Sequence, residues 1–282
     1  MDVERRRDEA RMRTRVTRGG ARRRAPVTRG RVASACVAVV AAALVAAPAV
    51  GAQRGPREVA DQPTAWFMYF GDHAVSSRWA LHAEAQVRRA EGTLGTEQWQ
   101  QLLLRPGVIY TLSRNVRLSA GYAYIDTWPY GEQPAAARFD EHRAWQQLQV
   151  GHATGRVQWQ HRYRLEQRWV EAAGAPEPDR VYTNRGRYML RVTVPLRGGD
   201  ATAPGTPYVS AYNEVFVNWG RNVGRNVFDQ NRLYGAVGVR VTRATRLEVG
   251  YLQQLVAKAD GVRLERNHSL QVALFQSSAL WR

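Results

Sequence analysis

From Thr64 to Gln276 the chain repeats one form: about ten residues of alternating apolar and polar character, followed by a cluster of turn residues. Between Arg156 and Arg168, Val157, Trp159, His161, Tyr163 and Leu165 fall on one face, and Gln158, Gln160, Arg162, Arg164, Glu166 and Arg168 on the other. A helix would scatter these charges around its circumference, whereas a strand collects them on one side. The segment Trp79 to Arg88 alternates in the same way, with Leu81, Ala83, Ala85 and Val87 opposite His82, Glu84, Gln86 and Arg88. Similar segments lie at 64–71, 99–112, 116–126, 142–152, 183–196, 207–218, 229–241, 245–255 and 266–276, which makes eleven candidates. Several exceed the usual strand length of soluble sheets and match what a tilted strand needs to cross a bilayer.

Turn lengths carry the topology. Ser113-Arg114-Asn115, Ala153-Thr154-Gly155 and Thr242-Arg243-Ala244 are short, whereas 127–141, 170–182, 219–228 and 256–265 are long and rich in turn formers; 197–206 breaks the alternation. Bacterial barrels have short periplasmic turns and long external loops. The sequence therefore predicts an all-β fold, an antiparallel transmembrane barrel of ten strands from Trp79 to Gln276 with both ends in the periplasm. The count becomes twelve if Trp66 to Phe70 pairs with a further strand; otherwise that segment is a periplasmic lead-in.

Residues 1–52 have another composition. Twelve arginines and four acidic residues precede Val32, and an Ala- and Val-rich run follows to Ala49. Basic then apolar is the order of a secretory signal peptide, with cleavage expected after Ala52 and Ala49 as the second site. This leaves 53–63 as a lead-in and 64–282 as a single barrel domain. The competing reading, a retained anchor, needs a longer apolar run to span the hydrocarbon. Removing the leader lowers the formal charge from +17 to +9, nearly all of it Arg, because Lys258 is the sole lysine. Cys36 leaves with the leader, so the mature chain holds no disulfide.

Export, nine Trp and twelve Tyr, and a densely charged polar face point to the outer membrane of a Gram-negative cell, with lipid as partner and nucleic acid excluded. Trp66, Trp99, Trp128, Trp159, Trp169 and Trp219 lie mostly near strand ends, where an interfacial girdle needs them. A periplasmic sandwich or lipocalin-like binding barrel is the alternative, with the same aromatics as core. Alternation turns Glu84, Arg88, Arg105, Arg117, Arg143, Arg162, Arg164, Glu166, Arg168, Arg187, Arg191, Glu214, Arg232, Arg240, Arg246 and Glu248 toward the lumen. These charges form either a structural plug, which suits the planar fork of Arg, or a porin-like path that attracts small anions or phosphate groups.

An outer-membrane lipid-modifying enzyme is a further alternative. His268 and Ser269 are adjacent and so point to opposite faces of a strand, which prevents them from forming a nucleophile and base pair with each other. No Gly-x-Ser-x-Gly elbow occurs, and the remaining histidines, His73, His82, His142, His152 and His161, lack metal-ligand spacing. The sequence assigns no catalytic residue, metal or cofactor.

Four blocks carry a family resemblance: Glu141-His142-Arg143-Ala144-Trp145-Gln146-Gln147-Leu148, Arg162-Tyr163-Arg164-Leu165-Glu166-Gln167-Arg168-Trp169, Phe228-Asp229-Gln230-Asn231-Arg232-Leu233-Tyr234 and Leu247-Glu248-Val249-Gly250-Tyr251-Leu252. In this order the chain, over roughly Trp66 to Phe275, resembles the uncharacterised family catalogued as domain of unknown function 2490. The resemblance implies an outer-membrane-associated β-barrel and no activity. Many barrels end on an aromatic residue read by the assembly machinery, whereas this chain runs past Phe275 to Trp281-Arg282.

Overall fold

A computed structural model describes residues 57–174, 179–198 and 200–280. The segment expected to be a signal peptide, with its expected cleavage site, lies outside the described residues. The strands are β1 (Glu58–Ala74), β2 (Trp79–Ala90), β3 (Gln98–Ser113), β4 (Val116–Thr127), β5 (Phe139–Thr154), β6 (Val157–Glu171), β7 (Arg180–Pro195), β8 (Pro207–Trp219), β9 (Phe228–Arg240), β10 (Thr245–Ala257) and β11 (Arg263–Ala279). Each pairs with its neighbours in the chain, and β1 bonds to β11, so the sheet closes on itself with no helix among the described residues.

The strand count corrects the expectation of ten or twelve. Eleven strands close the barrel, because the segment around Trp66 pairs with β2 on one side and β11 on the other. An odd count forces one parallel pair, and β1 runs parallel to β11 in register from Glu58↔Arg263 to Ala74↔Ala279. The fold is therefore not wholly antiparallel. Trp79 and Gln276 do lie at the same end of the barrel, as the sequence reading has them, whereas β1 begins at the opposite end, where Glu58 pairs with Arg263.

One end carries the connections 75–78, 114–115, 155–156, 196–206 and 241–244; the other carries 91–97, 128–138, 172–179, 220–227 and 258–262. They are called here the short-turn and long-loop ends. In the two-residue connection 155–156, Gly155 adopts φ +60°, which a residue without Cβ reaches at no steric cost.

Alternate side chains point into the lumen, and the barrel has no other core. Two apolar clusters sit inside: Trp66, Met189, Tyr212, Tyr234 and Leu252, and Leu103, Ala123, Ile125 and Trp145. Trp145 fits because its neighbours are glycines; a Cβ on Gly107 would lie 2.5 Å from the indole. The outer face is apolar and bare, exposing Phe67, Leu81, Leu104, Val108, Leu118, Tyr163, Leu165, Val237, Val249 and Leu274. It carries aromatic residues at both ends: Trp99, Trp169, Tyr182 and Trp219 toward the long loops, with Trp128 against Trp99 at 5.3 Å, and Trp79, Tyr110 and Trp159 toward the short turns.

Candidate functional site

The interior is a lattice of arginines and carboxylates built from direct cross-strand neighbours. Glu166 on β6 lies opposite Arg185 on β7. Its side chain is 0 % exposed, and its Oε2 accepts from Arg185 Nε at 2.8 Å and Nη2 at 2.6 Å. Its Oε1 accepts from Arg187 Nη1 at 2.7 Å, with Arg105, Arg143 and Arg164 at 3.7–4.0 Å. Glu141 accepts from Arg143 at 2.7 Å and from Arg168 at 2.5 and 3.0 Å. Glu84 takes both bonds of its neighbour Arg105 at 2.8 and 2.7 Å. Glu214 gathers Arg162 at 2.7 Å and Arg187 at 3.0 Å, with Arg232 at 3.9 Å. Glu248 holds Arg191 and the Tyr208 phenol, the latter at 3.0 Å. Forked guanidinium–carboxylate bonds fix orientation as well as charge.

Of the residues that the sequence turns inward, Glu84, Arg88, Arg105, Arg143, Arg164, Glu166, Arg187, Glu214 and Glu248 are buried, and Arg162, Arg168, Arg191 and Arg232 are partly so. Arg88 has only amide partners, Gln86 and Gln101, and stacks 3.8 Å above Trp66. Arg240 donates instead to Ala201 O in the 196–206 connection. Five members of the interior escape the sequence reading, among them Asp229, which accepts from Arg185 at 2.9 Å beside the register shift between β8 and β9. Arg185 shares the parity of Arg187 and is recoverable by strict alternation; Asp72, Glu141 and Glu265 fall one residue outside the segments read as strands.

The long-loop mouth is filled. Loop 128–138 turns into it, and the Tyr130 phenol donates to Glu265, which also binds Lys258 Nζ at 2.5 Å. Lys258 reaches Gln133 O at 3.4 Å, and Gly131 N donates to Glu91 Oε1 at 3.0 Å. Gly131 is required here: its φ is +69°, and a Cβ would strike Gln62. Burial, reinforced by the charge of Glu265, raises the Tyr130 pKa above its ordinary value and keeps the phenol a donor.

The other half of the lumen is open. A cavity of about 540 Å³ enters from the short turns at Arg114, Asn115 and Gln276 and reaches a floor of Trp66, Glu84, Arg105, Trp145, Arg164 and Arg232. Phe70 and Phe275, stacked at 5.0 Å, belong to one wall, and Gln147, Gln149 and Gln160 to another. Near the mouth Asp72 bridges His82 at 2.8 Å and Arg117 at 2.9 Å. The lining carries nine arginines against the carboxylates Asp72, Glu84 and Glu214. Several buried donors have no acceptor: Arg105 Nε, Arg162 Nε, Arg164 Nη1 and Arg232 Nε.

The histidines other than His82 belong to the outer face. His73, His142, His161 and His268 each meet a tyrosine hydroxyl, those of Tyr69, Tyr122, Tyr188 and Tyr251, and His152 stacks on Trp159 and His161. His268 also approaches Asp61 at 3.1 Å, while Ser269 points inward to Thr64. His73 Nδ1 lies 2.7 Å from Ser278 Oγ, its direct partner across the parallel seam.

The family model described as a protein of unknown function (DUF2490) matches residues 64–265. An uncharacterized protein of Methylorubrum extorquens is 29% identical over 201 residues, covering 70% of this chain and 79% of its own length. No solved structure matches.

Proposed function

The chain belongs to the DUF2490 family, described only as of unknown function, and from that premise we propose that it is an outer-membrane β-barrel held shut by its internal arginine–carboxylate lattice. One observation carries the reading. Trp159 and Trp169 lie on the same outward face of β6, ten residues apart. At about 3.3 Å per residue and a tilt of roughly 40°, their separation along the barrel axis is roughly 25 Å, the height of the lipid-facing band between aromatic girdles. The exposed Leu165 and Tyr163 between them are what lipid requires and water does not favour.

Short turns of such barrels face the periplasm. In that orientation the filled mouth faces outward and the cavity opens inward, so the protein is a plugged barrel and not a constitutive pore. Cell fractionation with a heat-modifiability gel tests the location. Outer-membrane recovery with a mobility shift on boiling is expected, and a soluble periplasmic product would overturn it. Planar-bilayer recording tests the plug: no steady conductance is expected, and an open anion-selective channel would replace the plug with a path.

A lipid-modifying enzyme is the second reading, favoured by the Ser278–His73–Tyr69 chain on the outer face, where a hydroxyl 2.7 Å from an imidazole nitrogen is the geometry of an activated nucleophile. It predicts acyl release from phospholipid or lipopolysaccharide that disappears in Ser278→Ala. Intact lipid after prolonged incubation with the wild-type protein removes it.

A further inference from the structure

We infer that the cavity at the short-turn end is a binding site for an organic phosphate monoester, with the phosphate on the arginine floor and the organic part against the Phe70–Phe275 ledge. The inference rests on the cavity alone and holds whether or not the barrel lies in lipid.

The floor is built for an anion that it does not supply itself. Arg164 bonds to an amide, Gln147 Oε1, at 2.9 and 2.7 Å; its nearest carboxylate, Glu166, is 4.0 Å away and already holds Arg185 and Arg187. Arg232 likewise bonds to Gln230 at 3.2 Å and comes no nearer than 3.9 Å to Glu214. Both keep a buried N–H without an acceptor, as do Arg105 and Arg162 beside them. A buried donor without a partner is costly, and a charged one more so. Elsewhere in the lumen Glu141 and Glu166 hold their arginines by direct bonds, and Arg88, which has only amide partners, keeps no N–H without an acceptor.

Charge and shape then narrow the ligand. Counting Glu166 and Glu248, which hold Arg187 and Arg191, with the three carboxylates of the lining, nine arginines face five carboxylates, an excess that favours a dianion over a monoanion. A phosphate monoester carries close to two charges near neutral pH and three acceptor oxygens, which suits several guanidinium forks converging from different strands. A bare ion would leave most of the 540 Å³ empty, since such volumes fit drug-sized molecules. Phe70 and Phe275 form a stacked apolar pair in the wall, and Arg191 and Arg246 lie over Phe275 at 5.5 and 4.8 Å. That wall suits a ring or short apolar group.

Isothermal titration of the detergent-purified full chain tests this with phenyl phosphate, inorganic phosphate and phenol. Phenyl phosphate is expected to bind at least tenfold more tightly than either of the others, and more weakly as salt is raised. Arg164→Gln should weaken it by tenfold or more, whereas Arg266→Gln, on the outer face, should not. Because Arg164 is buried, the half-buried Arg246→Gln provides a second variant, expected to weaken binding severalfold with the fold intact. Short-chain phosphatidic acid carries the same monoester on a lipid. Displacement of phenyl phosphate by it makes the source lipid and its failure makes the source soluble, and the site stands in both cases. Equal affinity for inorganic phosphate, no binding, or affinity unmoved by both Arg164→Gln and Arg246→Gln overturns the proposal.

Discussion

The Tyr130 phenol donates to the Glu265 carboxylate across 135 residues of chain, and through that bond loop 128–138 is tied to β11 at the long-loop mouth. Because burial and the Glu265 charge raise the folded pKa of Tyr130, the folded state keeps a proton that the unfolded phenol loses near its ordinary value of about 10. Above that pH the unfolded or detached loop binds fewer protons, so the contribution is complete below about pH 10 and falls as pH rises toward the folded value. Hydrogen exchange across 128–138 should therefore accelerate above about pH 10 beyond its intrinsic base catalysis, and Tyr130→Phe should abolish that extra step while loosening the loop at neutral pH. A loop equally protected in both proteins at every pH would refute the tie.

Glu166 is the hub of the lattice, holding Arg185 and Arg187 by close bonds with three further arginines within about 4 Å. Glu166→Gln keeps the shape and removes the charge, leaving cations buried without their counterion. Breaking a buried pair in this way costs about 3–5 kcal/mol. Denaturant unfolding in lipid vesicles should show a loss of that order, and a loss below about 1 kcal/mol would mean that the arginines find other acceptors. Arg88→Gln, which leaves no carboxylate behind, should cost less.

The arginine ladder was legible because a two-residue period is a property of one strand by itself: Arg162, Arg164, Glu166 and Arg168 share a face whatever stands next to them. The closure was not legible, because pairing is a property of two strands distant in sequence, and a strand's own pattern does not say whether its neighbour is parallel. Pro63 also hid the first part of β1, since proline in an alternating run argues against a strand. It lies opposite His268 in the parallel seam, and on its other side its carbonyl accepts from Glu91 N just beyond β2. The inward turn of loop 128–138 was hidden for another reason. Trp128-Pro129-Tyr130-Gly131 reads as a turn, and a turn does not announce that its tyrosine points inward.

The parallel seam gives its own test. Thr64 and Ser269 are register partners on the inward face, with their hydroxyls in contact. Cysteines at both positions are close enough for a disulfide, whose Cβ atoms sit about 3.5–4.5 Å apart. With Cys36 removed or replaced, Thr64→Cys with Ser269→Cys should cross-link within one chain under mild oxidant and change its mobility on an unreduced gel. A ten-strand closure of β2 directly onto β11 would leave these cysteines apart, so a protein that stays fully reduced while a pair in the antiparallel β10–β11 ladder cross-links would reject the eleven-strand barrel.

Leu165 separates the membrane barrel from a soluble one. It sits on the outer face of β6 between Trp159 and Trp169 and is 50% exposed. If that face meets water, Leu165→Arg replaces an exposed apolar group with a solvated charge, a change usually within about 0.5 kcal/mol. If it meets the middle of a bilayer, the charge must be drawn from water into hydrocarbon, at a cost of about 2–4 kcal/mol. Arg156→Leu, in the turn beyond Trp159, supplies the reference, a change outside the lipid-facing band whose loss of bonds to Pro195 O and Arg197 O is local. Urea unfolding from vesicles should show the large penalty at Leu165, and a variant as stable as wild type would return the apolar face to an aqueous setting and leave the interior lattice and its cavity as the properties of a soluble barrel.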